Sequence, residues 1–333
     1  MPTGAIKMRI LVTGEKGFIG RNLPASFSKW GHEVISILHN DTIPSATQFQ
    51  EPCVHGNDEA SWTKALIENK IDVIVHNAAV VGTDVVALHP KEATLTNVSG
   101  TYTISRAANA ANVPVCYMGT TVIYDTAKYQ NSSIVEDSIR GPKTFYGALK
   151  LAGEEIVRSL CKDWMIVRPL FAYGGIGDMN SLMAKTFYAD VNDVTDIDMF
   201  LDPNKTKDYM RVEDFCDAVA LACHMGLWGD DFNVAAETPH NVGKIVDIMS
   251  DVCSSDLHKR IKWHPQTDYL GNHVLSSEKF RNRTGWTPKF SLRDGLEESW
   301  DSISDPWVKD RSYDPLRHLK DAKIKGIDLT EHY

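Results

Sequence analysis

Tyr146 and Lys150 stand four residues apart in Tyr146-Gly147-Ala148-Leu149-Lys150. That spacing puts two side chains on one face of a helix, one turn apart. An ammonium beside a phenol can draw the phenol's pKa from ~10 towards neutrality, and the phenolate can then take a proton from a sugar or alcohol hydroxyl. The same spacing recurs in Tyr124 and Lys128. Context separates the two copies. Tyr146 follows Pro142 and opens a segment in which Phe145, Leu149, Ala152, Ile156 and Leu160 recur at helical intervals. Tyr124 follows a hydrophobic strand and runs into the polar stretch Gln130-Asn131-Ser132-Ser133, which reads as loop.

A tyrosine base acts only on what its surroundings bind, so the elements before residue 145 decide what the pair can do. Met8 to Val12 reads as a buried strand, followed by Thr13-Gly14-Glu15-Lys16-Gly17-Phe18-Ile19-Gly20 and a helical face marked by Leu23, Phe27 and Trp30. Strand, glycine turn and helix in that order form the context in which glycines bind a dinucleotide. Gly14 permits the tight turn, Gly17 lets backbone approach the pyrophosphate, and Gly20 lets helix pack on strand; the helix N-terminus offers free N–H groups to phosphate. Val34 to Leu38 reads as the second strand, ending in His39-Asn40 with Asp41 displaced beyond the turn. An NAD site usually ends this strand with a carboxylate for the ribose hydroxyls, and such a carboxylate would repel a ribose phosphate. Its absence, with Lys16 in the glycine loop, makes NADP the preferred cofactor over NAD.

A helix is predicted around Trp62, Leu66 and Ile67, and a third strand over Ile71 to His76 running into Asn77-Ala78-Ala79. Small residues there leave room for a flat ring at the strand's C-terminal end. A helix is predicted over Pro90 to Ala111, and a strand over Pro114 to Met118 that ends Gly119-Thr120-Thr121, placing two hydroxyls near Tyr146. Helix 145–161 leads to strand Trp164 to Pro169. From about Phe171 the alternation dissolves, which predicts a smaller lobe over the sheet edge with substrate between the lobes. Helix 215–225 and strand 232–234 return to the main domain; further helices are expected over 241–253 and within 275–300. The fold class is therefore α/β, a Rossmann-type doubly wound parallel sheet with a smaller C-terminal substrate-binding lobe. Residues 1–170 form the dinucleotide-binding domain and 171–333 mostly the lobe, with segments near 208–235 returning.

Composition agrees with a soluble globular protein. A chain of 333 residues with 43% hydrophobic and 24% charged content can bury a large core. The net charge of −9, without a dense Lys/Arg cluster, disfavours nucleic acid and anionic membranes as partners. Six scattered cysteines, Cys53, Cys116, Cys161, Cys216, Cys223 and Cys253, lack a CxxC pair, so buried reduced thiols and no metal site are expected. The first residues lack the apolar run of a signal peptide, and no run of about 18 apolar residues follows. A cytoplasmic protein is expected.

Taken together, Thr13-Gly14-x-x-Gly17-x-x-Gly20, His76-Asn77-Ala78-Ala79, Asn97-Val98-x-Gly100-Thr101, Gly119-Thr120-Thr121-x-x-Tyr124, Tyr146-x-x-x-Lys150, Arg168-Pro169, Asp208-Tyr209-x-x-Val212-Glu213-Asp214 and Gly285-Trp286-x-Pro288 resemble the extended short-chain dehydrogenase/reductase family. The likeness is to its nucleotide-sugar epimerase, dehydratase and reductase branch, over about nine-tenths of the chain. The resemblance implies that Tyr146 is the acid/base, that Lys150 tunes it while binding the nicotinamide ribose, and that Thr120 is its hydroxyl partner. It also implies cofactor contacts at Phe18, Ile19, His39, Asn57, Asn77, Ala78, Ala79 and Asn97. Substrate contacts are implied at Thr121, Lys207 and Arg211, the last two towards the pyrophosphate of a nucleotide-diphosphate sugar. Two chains are expected to pair as a homodimer through helices 97–111 and 146–161.

Departures from the family pattern narrow the reaction. Dehydratases of this branch carry Asp-Glu after the catalytic Thr, where this chain has Thr121-Val122. Decarboxylases tend to have a Glu, and deoxyhexose epimerase/reductases a cysteine, where Val122 stands. Phe171 replaces a common asparagine, and Asp125 a common glycine. The first reading is an NAD(P)-dependent epimerase that oxidises, rotates and re-reduces a sugar. The alternative is an NADPH-consuming keto-deoxysugar reductase, and a third is a dinucleotide-binding protein without chemistry.

Overall fold

A computed structural model describes residues 7–35, 58–174 and 181–304. Its centre is a six-stranded parallel sheet: β1 (Arg9–Thr13), β2 (Glu33–Ile35), β3 (Val73–His76), β4 (Val115–Met118), β5 (Trp164–Pro169) and a sixth strand, Asp230–Val234. The spatial order is β2-β1-β3-β4-β5 and then the sixth strand. The described part of the expected second strand is Glu33–Ile35; His39, Asn57 and Cys53 lie outside the described residues.

The apolar runs are continuous because both faces of the sheet are covered. Successive residues alternate between two cores: Ile10, Val12, Val73, Val75, Cys116, Met118, Met165 and Val167 face one, and Leu11, Ile74, Val115, Tyr117 and Ile166 the other. Helices Phe18–Ser28 and Val212–Met225 supply Phe27, Phe215 and Val219 to the first core. Helices Glu59–Glu68, Thr101–Ala111 and Phe145–Leu160 supply Leu66, Ile104, Ala107 and Val157 to the second. Among the described cysteines all are free thiols, and four are buried.

Another core lies outside the sheet. Helices Leu182–Val191, Val242–Cys253 and Leu292–Ser304 bring together Met183, Phe187, Ile245, Met249 and Leu296, beside the parallel pair Ile197–Met199 and Ile261–Trp263. Phe171–Tyr173 pairs with Tyr209–Arg211, and the chain then enters helix 212–225 and the sixth strand on the main sheet. The short helix Glu278–Thr284 also returns: Phe280 packs against Phe232, and Trp286 meets Phe280 edge to face. The family-like motif 208–214 is structural here. Buried Asp208 accepts from the Glu237 and Thr238 N–H groups, and Asp214 from those of Lys289 and Phe290.

The helix expected over 90–111 starts at Pro90 and contains a π-helical turn, Leu95–Gly100, before Thr101–Ala111. π turns are rare and tend to sit at functional sites. Here the turn contains Asn97.

Candidate active site

β2 and β3 lie on opposite sides of β1, so the chain reverses direction across the sheet there, and a crevice opens at the strands' C-terminal ends. Gly14 follows β1 with φ +69°, and an added Cβ would stand 2.8 Å from the Ala78 Cα. A Cβ on Gly20 would stand 2.1 Å from the Gly14 carbonyl oxygen. Only bare backbone lets the loop, the helix and the Asn77-Ala78 turn meet. The Asn77 amide donates to the Gly14 carbonyl at 3.2 Å. Helix 18–28 starts after Gly17 without a capping side chain or a first-turn acid, so its N-terminal N–H groups face a glycine cradle. These residues fit the diphosphate of a dinucleotide. Lys16 is exposed, and its carbonyl accepts from the Arg21 Nε at 2.6 Å, which folds a second cation onto the loop.

Thr13 anchors the other side. Its Oγ1 accepts from the N–H groups of Asn77 and Ala78 at 3.2 and 3.1 Å, so its proton goes to His76 Nδ1, 2.8 Å away. His76 must then carry its proton on Nε2 and donate to Thr101 Oγ1 at 3.1 Å, and that hydroxyl donates to the Asn97 carbonyl at 2.8 Å. Burial, and then the Lys150 charge, hold His76 neutral, with a pKa down to about 3. Asn97 itself is 1% exposed and clips the loop after Ala79: its Oδ1 accepts from the Val80 N–H at 2.8 Å and its Nδ2 donates to the Val80 carbonyl at 2.9 Å.

The catalytic candidates converge beside this crevice. Thr144 caps helix 145–160 by accepting from the Gly147 N–H at 3.1 Å. That fixes Tyr146 in the first turn, its ring among Val80, Val86, Ala93 and Leu149. Thr120, just past β4, lies close enough to the Tyr146 hydroxyl to lower its pKa. Lys150 lies one turn on, donates to the Met118 carbonyl at 2.6 Å and sits 4.1 Å from the Tyr117 ring centroid. Burial lowers Lys150 to about 7, with Glu154 opposing.

One electrostatic expectation is corrected. Burial raises the Tyr146 phenol above its ordinary range, and Thr120 is the group that opposes this. Lys150 turns its ammonium to the Met118 carbonyl and does not draw the phenol towards neutrality here. Tyr146 therefore holds its proton at neutral pH. The second Tyr-x-x-x-Lys copy does not converge at all: the Tyr124 hydroxyl is buried between Arg168 and Asn233, while half-exposed Lys128 pairs with Asp125.

Lys207 and Arg211 are brought to the sheet's edge with their charges already matched. Lys207 is fully buried and donates to Asp268 Oδ1 at 2.9 Å and to the Gly271 carbonyl at 2.6 Å. Arg211 is held by Glu213, Glu298 and the Ser299 hydroxyl. Thr121 accepts or donates to buried His273 Nε2 at 3.0 Å, and burial holds that imidazole neutral. Phe171, replacing the family's asparagine, packs its ring against Tyr209 and His273. Asp125, where a glycine is common, pairs with Lys143 at 3.1 Å.

Three site residues escaped sequence reasoning. Arg21 carries no pattern beyond its place after the last glycine. Tyr269 and His273 sit on a loop held from one side by Lys207 and from the other by Gln130, whose amide donates to the carbonyls of Leu270 and Asn272. Tyr269 reaches the hydroxyls of Thr83 and Thr144 and lies close enough to Tyr146 to raise its pKa further. Among the described residues no cluster of three or more metal-binding side chains occurs, and no helix is long and apolar enough to cross a membrane.

A parallel sheet with a glycine loop at its switch point and a Thr-Tyr-Lys set beside it defines a Rossmann-type short-chain dehydrogenase/reductase architecture. Residues 10–235 match the model of the NAD dependent epimerase/dehydratase family, and the chain belongs to that family. Among its relatives, the UDP-glucose 4-epimerase of Bacillus subtilis is 23% identical, covering 88% of this chain and 96% of that one. The GDP-6-deoxy-D-mannose reductase of Pseudomonas aeruginosa is also 23% identical, covering 88% and 97%. The structure of the UDP-glucuronic acid 4-epimerase from Bacillus cereus, in complex with UDP-glucuronic acid and NAD, superposes with a TM-score of 0.75 at 21% identity, over 89% of this chain and 99% of that one. The chain is thus similar to proteins named for reactions of sugar nucleotides, one of which is seen with NAD bound.

Proposed function

We propose that the protein is an NAD(P)-dependent nucleotide-sugar epimerase that works by transient hydride transfer at a sugar hydroxyl carbon. The observation that carries this reading is the meeting of Tyr146, Thr120 and Lys150 beside the glycine cradle. A bound nicotinamide supplies a reversible hydride acceptor. Tyr146 moves the hydroxyl proton of the same carbon, Thr120 orients the phenol by hydrogen bond, and Lys150 adds positive charge at the end of β4. Gly14, Gly17, Phe18, Ile19 and Gly20 with Asn77, Ala78 and Ala79 hold the dinucleotide. Asn97 acts by fixing Val80, and Lys16 with Arg21 favours NADP through the ribose phosphate. Lys207 and Arg211 approach the diphosphate once their present carboxylate partners give way, while Thr121, bonded to His273, is given no sugar contact. Two copies pair through helices 97–111 and 146–161, where Tyr102 is half exposed.

The paired cations at the glycine loop also favour the reductase reading, because a reductase consumes NADPH and exchanges it each turn. Val122, packed beside Tyr146, leaves no acid for dehydration there. Nucleotide released from denatured purified protein, analysed by mass spectrometry, separates the two. Tightly held cofactor and sugar inversion without net oxidation supports the epimerase; stoichiometric NADPH oxidation with a keto-sugar nucleotide supports the reductase.

A further inference from the structure

Glu154 is a buried acid that the proposed chemistry does not yet use. It lies one helical turn beyond Lys150 on the same face, so Tyr146, Lys150 and Glu154 form one stripe. Both Glu154 and Arg168 are fully buried, and the guanidinium grips the carboxylate with two bonds of 2.8 Å. Arg168 also reaches Asp231 at 2.5 Å and the Tyr124 hydroxyl at 2.9 Å, and Tyr124 donates to Asn233 at 2.9 Å. A bidentate, fully desolvated pair held on three sides cannot rotate freely.

Its position relative to the backbone matters more than its strength. A Cβ on Gly119 would stand 2.7 Å from Glu154 Oε1 and 2.8 Å from Arg168 Cγ, so the pair packs directly against this residue. Gly119 separates Met118, whose carbonyl receives Lys150, from Thr120, whose hydroxyl meets Tyr146. One turn of backbone thus holds both partners of the Tyr-Lys set, with the ion pair beneath it.

We propose that Glu154, locked by Arg168, is a positioning residue: it seats the Met118-Gly119-Thr120 bend and supplies the counter-charge for the Lys150 ammonium. The proposal rests on the reading of Tyr146 and Lys150 as the catalytic pair. The groups facing Lys150 are Tyr117 and the Met118 carbonyl from β4, neutral His76 from β3, and Glu154 from its own helix. Arg168 and Asp231 act on it through Glu154. Glu154 is therefore the one anion among these that bears directly on Lys150, and its removal disfavours the charged amine.

The test is the titration of Lys150 in the full-length protein, read from the lysine Cε signal of 13C-lysine-labelled protein and assigned with Lys150→Arg. Glu154→Gln keeps shape but removes charge; the midpoint should fall by on the order of half a pH unit or more. Tyr124→Phe loosens Arg168 without touching the charge, and should lower thermal stability while leaving the midpoint in place. An unmoved midpoint in Glu154→Gln, or an equal shift in Tyr124→Phe, overturns the proposal. Should Glu154→Gln not fold, Glu154→Asp withdraws the charge by one methylene: a downward shift supports the proposal and an unchanged midpoint overturns it. The titration needs no turnover. The expected shift in Glu154→Gln, together with a wild type inert towards all nucleotide sugars, refutes the proposed function alone.

Discussion

Lys150 donates its ammonium proton to the Met118 carbonyl oxygen across 2.6 Å, on the strand end that also presents Thr120 to Tyr146. The amine is thereby committed to the backbone of β4, and its charge is held in a fully buried place. Lys150→Met removes that charge with little change in volume. Turnover should fall roughly a hundredfold or more, the range expected for loss of a group in acid–base catalysis. Stability should move the other way. Lys150 has a folded value of about 7 against 10.5 in the unfolded chain, so the cost of burying the charge is complete below 7 and vanishes as pH rises through 10.5. Thermal unfolding should favour the variant most near pH 6 and least near pH 10; a variant less stable than wild type at every pH would contradict this.

Asp208 makes a second pH dependence. Burial raises its carboxyl to about 7 even though it accepts from two backbone N–H groups. Between the unfolded value of 3.8 and about 7 the folded chain holds a proton that the unfolded chain has lost, so this group's contribution to stability declines as pH rises across that window. Asp208→Asn escapes the decline. The difference in melting temperature, variant minus wild type, should be more favourable at pH 8 than at pH 5, whatever constant offset the amide brings. A difference independent of pH would show that Asp208 is not held protonated.

Gly20→Ala is a steric test of the cradle. Its Cβ would stand 2.1 Å from the Gly14 carbonyl oxygen and 2.7 Å from the Glu15 Cα, both backbone atoms that cannot swing aside. Dinucleotide affinity, measured by fluorescence titration, should drop at least tenfold, with a stability loss of about 1–3 kcal/mol from overpacking. Unchanged affinity would place the cofactor elsewhere.

Lys16 and Arg21 test cofactor choice. Both are exposed, so each should contribute only about two- to fivefold to NADPH binding, and that contribution should be screened by salt. Lys16→Ala and Arg21→Ala should each weaken NADPH and leave NADH nearly untouched. Equal losses for both nucleotides would remove the argument for NADP.

Much of this site was legible because its parts are local. The glycine turn, the strand ends and the Tyr146–Lys150 stripe each need one short stretch, and the continuous apolar runs of β1, β3, β4 and β5 marked the sheet directly. The residues alone left Thr120 and Thr121 equal and the family resemblance favoured Thr120; the structure turns Thr121 towards His273. What could not be read depends on chain segments far apart. Tyr269 comes to Tyr146 only because Gln130 and Lys207 hold its loop, an arrangement without a spacing pattern. The paired state of Lys207 and Arg211 is equally invisible, since Asp268 and Glu298 lie 61 and 87 residues away. The π turn at Asn97 breaks helical periodicity by one residue, too little to see in the pattern Pro90 to Ala111. The phenol's direction of shift was misjudged because spacing reveals a neighbouring charge but not the depth of burial that outweighs it.

Tyr146→Phe is the most direct test of the account. The variant keeps the ring that packs among Val80, Val86 and Leu149 and loses only the hydroxyl that meets Thr120. With reduced, deuterium-labelled nicotinamide cofactor and the keto forms of candidate nucleotide sugars, wild type should place deuterium on the carbonyl carbon as it is reduced, detected by mass spectrometry. Tyr146→Phe should bind the cofactor with unchanged affinity and transfer label about a hundred- to ten-thousandfold more slowly. Transfer at the wild-type rate in the variant, or no transfer by wild type to any keto-sugar nucleotide, would contradict the account.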